Sequence, residues 1–137
     1  MNKKAIFRGY FQSLAIFLMG VGLLVLGTFF LSDQDVTELG PVISFFLWLS
    51  LFAGGFSAGI NARRSGYLHG AYVGILWWFT GSLFFWLFLP GDTLSYGLVQ
   101  RAVCDVLVGI LGGLCGVNYL ILKRQEGKDI LFKMFKN

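Results

Sequence analysis

The sequence predicts an all-α, polytopic membrane protein: a four-transmembrane-helix, up-down-up-down bundle with glycine-lined helix faces. Three observations predict it. Hydrophobic residues make up 56% of the 137 positions and charged residues only 13%, about half the charged share of a soluble domain. The apolar residues are gathered into four runs, each near the ~20 residues that a helix needs to cross the hydrocarbon core. Basic residues fall almost wholly on one side of those runs. A water-soluble chain of this length has too much surface to bury so much apolar side chain, whereas a bilayer accommodates it. Residues 1–137 therefore read as a single membrane domain.

The first span covers about Gln12 to Leu31, after a basic amphipathic end over residues 3–11. Lys3, Lys4 and Arg8 ahead of an apolar run resemble a signal peptide. The run ends in FFLSDQD with no small-x-small cleavage site, so it reads as a retained helix. The second span covers about Val42 to Ile60, the third Leu68 to Leu89 and the fourth Leu98 to Leu122, followed by a second basic amphipathic end over residues 123–137. The separators SDQDVTELG, NARRSGY and PGDTLSYG are short and rich in turn formers. Short connections make neighbouring helices antiparallel. Segments this long are not transmembrane strands, which are shorter and close into barrels.

Charge sets the orientation. Lys3, Lys4 and Arg8 precede span one, Arg63 and Arg64 separate spans two and three, and Lys123, Arg124, Lys128, Lys133 and Lys136 follow span four. The opposite side carries Arg101, with Asp33, Asp35, Glu38 and Asp92 in its loops. The positive-inside rule then places both termini in the cytoplasm of a cell-membrane protein. Topology also accounts for the net charge of +4, so nucleic acid is not an expected partner.

The nineteen glycines are concentrated in the spans rather than the loops. Ser50, Gly54, Ala58 and Ala62 recur every four residues in span two, with Gly55 and Gly59 alongside. Gly66, Gly70 and Gly74 continue that spacing into span three, and Gly109 with Gly113 and Gly112 with Gly116 repeat it in span four. Ser13, Gly20 and Gly27 follow a heptad spacing in span one. Small residues four apart cut a groove in a helix, in the manner of a glycine zipper, so that backbones pack closely where no hydrophobic drive acts. The expected packing residues are Gly54, Gly55, Ala58, Gly59, Gly70, Gly74, Gly109, Gly112, Gly113 and Gly116, with Trp48, Trp77 and Trp78 as candidate knobs and Trp86 at the outer interface. The grooves serve packing within the chain or, alternatively, a homo-oligomer or a membrane-protein partner. GGFSAGINARR at 54–64 is echoed by GGLCGVNYLILKR at 112–124, which reads as a shared packing solution or as an internal repeat.

Candidate functional residues are few. Asp105 is the one acid clearly inside a span, and Arg101 lies four residues earlier on the same helix face. Intramembrane charges are costly and are functional candidates by default; the alternative is a local pair with Arg101 snorkelling outward. Asn61, His69 and Asn118 fall at the cytoplasmic ends of three spans, as helix caps or as one polar layer. Cys104 and Cys115, eleven apart, match neither a disulfide in one helix nor a metal spacing and read as small packing residues. At the two ends, Ile6, Phe7, Tyr10 and Phe11, and Ile130, Leu131, Met134 and Phe135, interleave with bases as segments lying on an anionic leaflet or docking a cytoplasmic partner.

GGFSAGINARRSGYLHGAYVGILWW, with GGLCGVN in the last span, resembles the YrzE-like family of small four-helix membrane proteins from Firmicutes. The resemblance covers roughly Lys3 to Asn118 and is carried by glycine patterns. It implies a bacterial source, the four-span fold and no catalytic residues, because the family is a domain of unknown function. The sequence shows no paired acids, no nucleophile beside a base and no metal cluster, so no enzyme, metal or cofactor is expected. The expected role is a non-enzymatic scaffold or accessory subunit of a membrane complex, in contact with the lipid bilayer. The alternative is a small oligomeric ion channel or transporter that uses Asp105.

Overall fold

The computed structural model describes residues 3–30, 39–62, 65–88 and 94–134, the side chains of 39, 85, 88, 94–96, 98 and 126–134 excepted. The described residues form four helices: α1 (Lys3–Phe30), α2 (Leu39–Ala62), α3 (Gly66–Phe88) and α4 (Leu94–Met134). Among the described residues, three stretches are long and apolar enough to cross a bilayer: Lys3–Phe30, Gly40–Ala62 and Val99–Gln125. Helix α3 has 23 residues and mixes Tyr67, His69, Tyr72 and Thr80 into its apolar sequence.

Two expected boundaries move. The basic start of the chain is not a separate element lying on a leaflet: it forms the first turns of α1, with Ala5 and Ile6 buried against the bundle and Phe7 and Phe11 exposed. The expected face of Ile6, Phe7, Tyr10 and Phe11 is thus split between core and surface, because helical period separates 6 and 10 from 7 and 11. At the other end, α4 runs unbroken for 41 residues and takes in both the expected separator residues Leu94–Gly97 and most of the basic tail. The acidic residues of the expected outer loops, Arg63 and Arg64, the side chains of Lys128, Ile130, Leu131, Lys133 and Met134, and residues 135–137 lie outside the described residues. Between α2 and α3, Ser65 turns the chain with φ 54°. Its carbonyl accepts the Leu68 and His69 amides at 3.1 and 3.4 Å, which satisfies two of the amides that a helix start leaves open.

The helices bury small residues and expose large ones. Phe29 and Phe30 are each 80% exposed, as suits side chains whose solvent is lipid. The few large buried residues, Ile6, Leu51, Val73 and Trp77, form a core with Tyr10, Leu14, Phe17, Leu76 and Val108 packed around it. Helices α2 and α3 both pack along α4, while α1 packs on α2 and touches α3.

Glycine fixes these contacts. A Cβ on Gly55 would lie 2.5 Å from the Gly109 carbonyl oxygen, and one on Gly70 would meet that same oxygen from the α3 side. One turn on, Gly59 and Gly66 converge in the same way on the Gly113 carbonyl. Helices α2, α3 and α4 therefore meet in two stacked layers, Gly55–Gly109–Gly70 and Gly59–Gly113–Gly66. A second α4 pair, Gly112 and Gly116, lies against the backbone of Phe52 and Phe56. On its opposite side α2 receives α1: Gly9 lies where a Cβ would be 2.6 Å from the Gly54 oxygen and 2.8 Å from the Ala58 Cβ. With no side chain between them the backbones reach contact distance, and dispersion between them replaces the missing hydrophobic term.

Candidate functional site

Helix α4 brings Arg101 and Asp105 to one face by their spacing of four. Asp105 is 2% exposed. Its backbone meets Gly74 of α3, where a Cβ would lie 2.6 Å from the Asp105 carbonyl oxygen and 2.8 Å from the Val106 Cα; the bare glycine lets α3 close against this turn of α4. Arg101 Nε stands 3.9 Å from Asp105 Oδ2, with side-chain exposures of 39% and 3%. That separation is a Coulombic contact rather than a charge-assisted hydrogen bond, which closes to about 2.7–2.9 Å. The guanidinium reaches toward α3 at Gly81, where the nearest atom to a Cβ would be Arg101 Nη2 at 3.6 Å. The other carboxylate oxygen, Oδ1, is buried with no hydrogen-bond partner among the described residues. A buried polar group left in that condition is costly and conspicuous.

Beside this pair lies an open cleft of about 410 Å³ between α2 and α4. Ile43, Ser44, Leu47 and Trp48 line it from α2, and Gly97, Gln100, Arg101, Cys104 and Asp105 from α4. Its walls are mostly apolar and its polar groups converge near Asp105, the general form of a ligand site. Ser44 already donates to the Gly40 carbonyl at 3.0 Å. Among the described residues no three of His, Cys, Asp and Glu come together.

The profile of the family described as "Protein of unknown function (DUF3792)" matches residues 2–116. The chain belongs to this family. The match takes in α1, α2, α3 and the part of α4 that holds Arg101, Asp105 and all four of its packing glycines. No curated protein and no solved structure matches the chain.

The other sequence candidates fall as follows. Gly54, Gly55, Ala58, Gly59, Gly70, Gly74, Gly109, Gly112, Gly113 and Gly116 are all buried. Gly54 and Ala58 face α1, while Gly55 and Gly59 face α4. The sequence-matched pair Gly54 and Gly112 meet different neighbours, α1 and α2, so the echo between the two segments is not an equivalence of contacts. Of the heptad residues in α1, Ser13 and Gly20 are buried, while Gly27 has nothing within 4 Å among the described residues. Trp77 is buried, whereas Trp48 and Trp86 are 50% and 67% exposed. Asn61 accepts from Arg8 at 3.5 Å and donates to the Ser57 carbonyl at 2.8 Å. His69 Nδ1 lies 3.0 Å from the Ser65 carbonyl, and Asn118 is exposed. Cys104 is partly buried on the cleft, but Cys115 is exposed and is not a packing residue.

Sequence reasoning missed a polar seam between α1 and α3. The Trp77 indole donates to Ser13 Oγ inside the core, and Tyr10 and Thr80 share a hydroxyl–hydroxyl bond of 2.8 Å. The Trp77 ring packs edge-on to Phe17 and tilted against Tyr10, with centroids 5.3 and 6.3 Å apart. A span starting at Gln12 keeps Ser13 and leaves out Tyr10, so the two hydroxyls of this seam were not read as one face of α1.

Proposed function

We propose that this protein is a non-enzymatic accessory or scaffold subunit of a membrane complex, with all four helices crossing a bacterial cell membrane up-down-up-down and both termini in the cytoplasm, as the YrzE-like resemblance implies. The paired contacts support the topology: residue numbers rise together along α2 and α4 (55 with 109, 59 with 113) and oppositely along α3 and α4 (66 with 113, 70 with 109). The charge split supports the orientation.

The observation that carries the subunit role is the length of α4. Val99–Gln125 suffices to cross the bilayer, yet the helix continues to Met134. At about 1.5 Å per residue those last nine residues extend the rod by roughly 13 Å. Lys123, Arg124 and Gln125, where it leaves the bundle, are exposed. A basic helix that continues beyond the span is a surface for a partner. The glycine grooves are spent on contacts within the chain, so they are not that surface. The test is Gly127→Pro, which breaks the rod beyond the bundle. Crosslinking and co-purification from native membranes should lose the full chain's partners in this variant, while the unfolding of the purified bundle stays unchanged. Recovery of the same partners would refute the role.

The buried, unpartnered Asp105 Oδ1 beside a cleft favours a second reading, a small oligomeric channel or transporter. Ion flux in liposomes that disappears in Asp105→Asn would establish it over the first; no flux from the wild type would eliminate it.

A further inference from the structure

At the opposite end of the bundle from Asp105, a second cavity of about 410 Å³ opens between α1 and α2, lined by Lys4, Ala5, Arg8 and Asn61. We propose that it is a binding site for the headgroup of an anionic phospholipid, held by Lys4 and Arg8, with the acyl chains running along Phe7 and Phe11.

Helical spacing puts these residues in one stripe. Positions 4, 7, 8 and 11 follow the i, i+3, i+4, i+7 pattern of a single helix face. All four side chains are exposed, Phe7 at 57% and Phe11 at 61%. Along α1 the stripe alternates base and ring, Lys4, Phe7, Arg8 and Phe11, and it ends on a ring where the helix enters the apolar run, so each base has an apolar side chain beside it on the membrane side. The floor is shallow because Ala5, 2% exposed, is the residue turned inward there. Asn61 orients the site rather than filling it: its Oδ1 accepts from Arg8 Nη1 at 3.5 Å while its Nδ2 is tied to the Ser57 carbonyl. That arrangement holds one edge of the guanidinium and leaves its remaining donors for the cavity, and an arginine fork suits a phosphate. Among the described residues, none of those lining the cavity is acidic. Basic pockets between helices on the cytoplasmic side are where anionic headgroups bind.

The site rests on the membrane reading above but not on the accessory-subunit role, and lipid titration in detergent reports on it whichever way the bundle faces. The experiment is native mass spectrometry of the full chain, titrated with phosphatidylglycerol and with phosphatidylcholine. The expected result is preferential retention of phosphatidylglycerol. Each base contributes about a five-fold factor in affinity, so Lys4→Gln/Arg8→Gln should weaken binding roughly 25-fold. Phe7→Ser/Phe11→Ser should weaken the lipid while sparing the headgroup contacts. If the double base variant does not fold, Lys4→Gln alone, at an exposed side chain, should still show its five-fold loss. Equal retention of the two lipids, unchanged binding in the Lys4/Arg8 variant, or displacement of the lipid by equimolar glycerol phosphate would each overturn the proposal, the last by marking a free-phosphate site.

Discussion

Gly55→Ala tests whether direct backbone contact holds α2 to α4. An alanine Cβ at position 55 would sit 2.5 Å from the Gly109 carbonyl oxygen and 3.3 Å from the Gly109 carbonyl carbon and Cα. Ordinary contact begins at 3.4 Å, so the two backbones must part locally by 3.4 − 2.5 = 0.9 Å. The obstacle is main chain, and no rotamer change removes it. A gap of that size forfeits about a quarter to a half of the dispersion well for the atom pairs along the seam. Overpacking of this kind costs about 1–3 kcal/mol. Gly22 is the control, with nothing within 4 Å among the described residues; alanine there recovers up to about 1 kcal/mol of helix propensity. The two variants should therefore differ by about 1–4 kcal/mol. Reversible unfolding in mixed micelles of increasing dodecyl sulfate fraction, followed by circular dichroism, measures the difference. Equal stability of Gly55→Ala and Gly22→Ala would refute the claim that the glycine layers hold the bundle.

Three further outcomes are expected. Ser13→Ala leaves the Trp77 indole N–H without its acceptor in the core and should lower stability by about 1–3 kcal/mol; adding Trp77→Phe removes the orphaned donor, so strict additivity in the double-mutant cycle would count against the bond. Arg101→Gln strips the buried Asp105 of its cation and, given the 39% exposure of the arginine, should cost about 1–2 kcal/mol. Asp105→Asn in the same chain should restore most of that loss, and a double variant as unstable as the single one would contradict a charge pair. For topology, cysteines placed at Asp35 and Lys133 in a Cys104→Ser/Cys115→Ser background should react with a membrane-impermeant maleimide in intact cells only at position 35, with position 133 reacting only after lysis; the reverse pattern would invert the bundle.

Helix number was legible in the sequence because long apolar runs separated by turn formers follow a simple rule of length and apolarity; small residues four apart mark a groove but not what fills it. Partner assignment was not legible. The i, i+4 pattern is the same whether Gly54 faces α1 or α4, and only the structure places Gly54 and Ala58 on one side of α2 and Gly55 and Gly59 on the other. The ends of the helices were misplaced for a different reason. Lys4 and Arg8 lower local hydropathy without breaking a helix, so apolarity marks where the chain enters hydrocarbon, not where α1 starts. The Arg101–Asp105 pair could be read from its spacing. The burial of Asp105 could not, because it comes from packing between helices; its backbone meets Gly74, thirty-one residues away in sequence and on another helix.

The positions of the glycine layers also explain why the buried Asp105 borders a cleft. Helices α2, α3 and α4 are in backbone contact at Gly55–Gly109–Gly70 and Gly59–Gly113–Gly66. In the other direction along the bundle, α2 presents Trp48, Leu47 and Ile43 in place of glycine, so it cannot follow α4 at the same distance. Gly40 and Gly97, at the far ends of these helices, have nothing within 4 Å among the described residues. Asp105 lies one turn beyond Gly109, where Gly74 still brings α3 against α4 but α2 has begun to diverge. Its backbone is therefore covered from one side while the cleft opens on the other. An acid one turn deeper would face glycine backbone, with no room for a carboxylate; one turn further out, at Arg101, the side chain is already partly exposed. Position 105 is the turn at which a carboxylate is both sheltered and beside an opening, which is why the channel reading and the structural pair compete at this residue and why Asp105→Asn distinguishes them.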